Sequence, residues 1–185
     1  IFNLEVPLIQ KKTPIKKDGP VLSAPVSTIP GIKKLEPSIV TLANNHIMDH
    51  GEEGLLSTIE QLSQQRIEFV GAGRDLNHAS RPVITEKQGR RIGIYACAEH
   101  EFSIAGGNRS GANPIDLLES FDHISNLKSG CDLVIVLFHG GKEYYRYPTP
   151  ELQKTCRKMA SSGADLVICQ HSHCIGAYEK YGDGM

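Results

Sequence analysis

Apolar positions in this chain follow two rhythms. Leu55, Ile59 and Leu62 fall at i, i+4 and i+7, which predicts a helix over Glu52–Gln65. Leu117, Leu118, Phe121, Ile124 and Leu127 form a second helical stripe over Ile115–Lys128, with Asn113 as N-cap and Pro114 at the first position. A third helix is expected over Pro150–Ser161, capped by Thr149 and stopped by Gly163. Between them lie short apolar runs too brief for helices. Ser38–Leu42, Glu68–Val70, Pro82–Glu86, Arg91–Ala96, Asp132–Phe138 and Asp165–Cys169 read as strands, with further strands near Phe2–Glu5 and Tyr178–Tyr181. The Pro- and Lys-rich residues 6–37 and the Gly-rich segment Glu99–Gly111 read as loops.

Strand–helix–strand alternation predicts an α/β fold with parallel strand pairs. The 185 residues suit one domain, 1–185, although its opening and closing segments read as cut. A formal net charge of -1 gives no sign of the strongly basic face that nucleic-acid binding needs. No apolar run approaches the roughly 20 residues of a membrane span. The run Lys11, Lys12, Lys16, Lys17 reads as a solvated surface. Five cysteines at irregular spacing make no disulfide framework; they read as small buried hydrophobes, which favours a reducing compartment.

Three turns carry the chemistry, each directly after an expected strand. They are Ala43-Asn44-Asn45-His46, His139-Gly140-Gly141-Lys142-Glu143 and Gln170-His171-Ser172-His173. If those strands run parallel in one sheet, the turns share the carboxyl edge where open α/β sheets bind ligands. Imidazole nitrogens with an Asn oxygen suit zinc, manganese or iron, and a pair of such ions clamps a phosphoryl or carbonyl oxygen. In extended chain, residues two apart point to one side, so His171 and His173 could both reach the ions.

These motifs resemble the CapA-type branch of the calcineurin-like metallophosphoesterases. That branch runs Asn-Leu-Glu, Ala-Asn-Asn-His with a following Asp and Gly, His-x-Gly-x-Glu and His-x-His. Here the matches are Asn3-Leu4-Glu5, Ala43–His46 with Asp49 and Gly51, His139–Glu143 and His171–His173. The resemblance implies a metallophosphoesterase-like sandwich of mixed β-sheets flanked by helices (αββα), incomplete in this chain. It implies a metal site of Asn45, His139, His171 and His173 for two divalent ions, with His46 as catalytic acid. Two positions depart from the pattern: Gly140 replaces the usual aromatic and Gln170 the usual His. The family's opening Gly-Asp strand, whose Asp is a ligand, has no counterpart among these residues.

Asn3 and Glu5 are candidates for the metal or for structural hydrogen bonds. Glu143 could orient His139 as a neighbouring carboxylate. Asp49 reads as the cap of the following helix, and Asn44 as a turn residue that tolerates left-handed backbone. The resemblance implies synthesis or export of an anionic capsule polymer, poly-γ-glutamate being the named example, with membrane proteins of capsule synthesis as partners. It also points to the cell envelope, against the cysteines, so the compartment stays open. Two rival functions use the same residues: metal-dependent hydrolysis of a phosphoester or related bond, and binding of an anionic polymer without cleavage.

Overall fold

A computed structural model describes residues 1–182. The elements are β1 (Phe2–Asn3), β2 (Leu8–Ile9), β3 (Ala24–Pro25), α1 (Ile29–Lys34), β4 (Ile39–Thr41), α2 (Gly51–Gln64), β5 (Glu68–Val70) and β6 (Ala72–Gly73). There follow α3 (Leu76–Ala79), β7 (Val83–Lys87), β8 (Arg90–Ala98), β9 (Gly111–Ala112), α4 (Glu119–Gly130), β10 (Leu133–His139), α5 (Pro150–Ser161) and β11 (Leu166–Gln170). Two sheets organise them. The first is parallel, in the order β1-β4-β5; the second runs β11-β10-β8-β7, with only β7 antiparallel.

The two faces of the second sheet explain the layering. Along β8, Ile94, Ala96 and Ala98 join one apolar cluster while Tyr95 and Cys97 join another. This is the two-residue alternation of a strand buried on both faces. The first cluster also holds Val40 and Leu42 from β4 and its exit, with Leu55 and Leu62 of α2. The second holds Val134, Val136 and Phe138 of β10, Ile124 and Leu127 of α4, and Met159 of α5. The order is therefore helix, sheet, sheet, helices: the mixed α/β sandwich expected. Gly71 lets the sheets approach. It sits at φ +86°, and a Cβ there would lie 2.6 Å from Ala43 Cβ and 2.8 Å from Ala96 Cβ.

Several expectations change. The second helix starts at Glu119, not Ile115. Asn113 is drawn into strand-like pairing, its carbonyl accepting from Ala98 N and its side chain donating to Ala96 O. Asp116 instead accepts from Leu118 N and Glu119 N at the helix start, and Leu117 and Leu118 of the expected apolar stripe are exposed. Residues 6–37 carry β2, β3 and α1, which their composition hides. Residues 175–180 carry no regular secondary structure where a strand was expected. The closing turn over 182–185 falls mostly outside the described residues. Among the described residues, no helix is long and apolar enough to cross a membrane.

Candidate metal centre

Parallel strands deliver the candidate side chains, but from two sheets rather than one. β1 and β4 of the first sheet lead into Glu5 and into Asn44–His46. β10 and β11 of the second end on His139 and lead into His171 and His173. The residues meet across the facing carboxyl ends of the sandwich. Asn45 Oδ1 lies 3.1 Å from His139 Nε2, and Glu5 Oε1 is 3.7 Å from the same nitrogen. The His139 and His171 rings are 4.9 Å apart, and those of His171 and His173 are 6.0 Å apart. One ligand atom each from Glu5, His171 and His173 lies within 4.8 Å of the others. Asn3 donates to Glu5 Oε2 at 2.8 Å, and its Nδ2 sits 3.5 Å from His139 Nδ1.

The residues present fit a divalent ion. Among the described residues, His171 Nδ1 is buried without a hydrogen-bond partner, and an orphaned imidazole nitrogen is costly unless something binds it. Burial, then the neighbouring His171, His46 and His173, push the His139 pKa down to about 3. His139 therefore stays neutral near pH 7, the form in which imidazole ligates. Imidazole and carboxylate together are a donor set for zinc, manganese or iron.

The backbone around the last motif is not extended. His171 sits at φ +92° and His173 at φ +52°, and Tyr144, beside them, at φ +60°. Left-handed non-glycine backbone costs about 1–3 kcal/mol per residue and clusters at functional sites. The two imidazoles thus converge through a left-handed turn, not through strand alternation. Glu143 is nearest these two, 3.5 Å from His173 Nε2 and 4.0 Å from His171 Nε2. It was expected beside His139.

The Asn-Asn-His turn is held by a separate network. Asn44 donates to Asn3 Oδ1 at 3.1 Å and to Leu4 O at 3.0 Å, and its Oδ1 accepts from His46 N at 3.1 Å. Its φ is not positive, so hydrogen bonding and not left-handed geometry gives it the turn role. Asp49 is fully buried and caps no helix; α2 starts after His50 with no side-chain cap. Instead Asp49 Oδ2 lies 2.7 Å from His46 Nδ1 and accepts from Leu22 N. Lys17, expected in solvent, is buried and donates to Asp49 Oδ1. An ionised carboxylate only accepts, so Nδ1 of His46 carries the proton and Nε2 is left free. No sequence pattern announced Lys17, because the Asp49 carboxylate to which it donates lies 32 residues away.

A cavity of about 630 Å³ adjoins the cluster without containing it, lined by Gly140, Gly141, Tyr145, Arg146, Ile168 and Ser172 among others. Of the neighbouring tyrosines, Tyr144, Tyr145 and Tyr147 are all exposed, and Tyr144 stacks obliquely near His173 at 5.7 Å.

Comparison with known proteins gives a consistent picture. The family described as bacterial capsule synthesis protein PGA_cap matches residues 1–185. The capsule biosynthesis protein CapA of Bacillus anthracis is 30% identical over 192 residues, covering 99% of this chain and 47% of that protein. The PGA biosynthesis protein CapA of Bacillus subtilis (strain 168) is 28% identical over 184 residues, covering 97% and 48%. This chain thus spans about half the length of the curated relatives it matches. Among solved structures, the 5'-nucleotidase precursor of Thermus thermophilus superposes with a TM-score of 0.56 at 19% identity, over 83% of this chain and 30% of that one. That likeness establishes a metallophosphoesterase-like fold.

Proposed function

Because this chain belongs to the PGA_cap family of bacterial capsule synthesis proteins, we propose that it supports synthesis or export of an anionic capsule polymer of the poly-γ-glutamate kind through a divalent-metal cleft. The observation that carries the reading is the convergence of Glu5, His171 and His173, together with a buried His171 Nδ1 that has no hydrogen-bond partner among the described residues. Glu5, His171 and His173 would hold one ion, and His139 and Asn45 would hold a second. A divalent ion there supplies Lewis acidity toward a phosphoryl or carboxyl oxygen.

The chain's own residues then have distinct tasks. Asn3 and Asn44 fix the Glu5 and His46 segments against each other. Asp49 holds the His46 ring in one tautomer, and Lys17 neutralises Asp49 within a pocket where an isolated charge is costly. Glu143 steadies the His171–His173 turn.

One observation favours a hydrolytic reading over passive binding. An imidazole oriented by a buried carboxylate, with its outer nitrogen free, is the arrangement of a general acid or base. On this reading the free Nε2 of His46 takes a proton from the attacking water and then passes it to a leaving oxygen or nitrogen. The test compares wild type and His46→Ala, in the full-length protein loaded with zinc, manganese or iron. Cleavage of a generic phosphodiester or of poly-γ-glutamate that vanishes in His46→Ala supports hydrolysis. Poly-γ-glutamate binding retained in His46→Ala, with no cleavage under any metal, assigns a binding role. Absence of both cleavage and polymer binding in the metal-loaded protein contradicts the proposal.

A further inference from the structure

Cys156 and Cys169 were expected as separate buried hydrophobes, but the fold brings them together. Cys156 lies on α5 and Cys169 on β11, and their sulfurs are 3.4 Å apart. Neither is sealed in the core: Cys156 is half-buried and Cys169 exposed, whereas Cys97 and Cys131 are buried. Both residues line the cavity of about 630 Å³ beside the histidine cluster, so a small molecule can reach them. A disulfide needs sulfurs at about 2.05 Å, so the two sulfurs must close the remaining gap as the bond forms.

We propose that Cys156 and Cys169 are a reversible dithiol–disulfide site that reacts with small-molecule disulfides entering this cavity. The Cys156 thiolate attacks one sulfur of the small disulfide, forming a mixed disulfide and releasing one small thiolate. Cys169 then loses its proton to solvent and attacks the Cys156 sulfur, releasing the second small thiolate. Two protein thiols are oxidised by two electrons and one small disulfide is reduced to two thiols, so the exchange balances. The Cys169 thiol hydrogen-bonds to Cys156 and holds the latter's pKa below the ordinary thiol range, which suits Cys156 to attack first. The bond would tie α5 to the strand that leads into His171 and His173. Cys174, on the same cavity, is the competitor for either sulfur.

The test uses the intact chain, incubated with oxidised and reduced glutathione at graded ratios, then acid-quenched and alkylated in denaturant. Titratable thiols should fall from five to three as the ratio becomes oxidising, and return with dithiothreitol. Tryptic digestion should link Thr155-Cys156-Arg157 to the peptide Met159–Lys180. Because that peptide also contains Cys174, the same link must persist in Cys174→Ser. Five alkylated thiols at every ratio, or a link that disappears in Cys174→Ser, would overturn the assignment. Glutathione adducts on Cys156 that never resolve to an internal bond would overturn it as well.

Discussion

The two halves of the candidate centre are built differently. Around β1 and β4, the polar groups find their partners within the protein: Asn44 binds Asn3 and Leu4, Asp49 binds His46, Leu22 and Lys17. Around β10 and β11, the histidines of the last motif sit on left-handed backbone, His171 Nδ1 has no partner among the described residues, and His173 and Glu143 are half-open to water. Apart from Glu5 and Asn45, which approach the histidines of the other sheet, the first half is hydrogen-bonded as folded. The second is arranged at a cost in strain and desolvation that binding an ion would offset. Preorganised orientation and unfilled coordination are thus divided between the two sheets, and the cleft exists only where they meet.

Substitutions should separate the halves. The largest effect is expected from Asp49→Asn, which leaves Lys17 buried without a counter-charge. Breaking such a pair costs about 3–5 kcal/mol, read as a lowered denaturation midpoint. Lys17→Met in the same chain should recover part of it, while metal uptake at the other half persists. His171→Ala should do the reverse: unfolding barely changes, but metal affinity falls by more than the roughly 10–100-fold typical of losing an orienting partner. Equilibrium dialysis against a chelator measures it. Gly71→Ala forces a side chain into φ +86° and against Ala43 and Ala96. It should lower stability by about 1–3 kcal/mol and disturb His46 more than His171, which imidazole NMR would resolve. Glu143→Gln should have the smallest effect, about tenfold or less in metal affinity, with no change in unfolding midpoint.

The same division governs what could be read from the chain. α5 and its Thr149 cap were legible because capping is local: the Thr149 hydroxyl accepts from Leu152 N at 3.2 Å. β8 and β10 were legible because strands buried on both faces need near-continuous apolar runs. The motif turns were visible because each follows such a run directly. What failed to show depended on distant partners. Lys17 turns inward only because Asp49 and Phe102 await it, with Nζ 4.6 Å from the Phe102 ring. Leu117 and Leu118 are exposed because Asn113 and Pro114 pair with Ala98 before the helix begins. The left-handed turn at His171–His173 contains no glycine to announce it. The approach of Cys156 to Cys169 exists only once α5 has packed on β11.

Elemental analysis of the full-length protein, purified without added metal and without chelator, bears most directly on the cleft. At least one equivalent of zinc, manganese or iron per chain, absent from His171→Ala of unchanged fold, is the predicted result. A wild-type protein that carries no divalent ion, and takes none up on titration with all three, would contradict it.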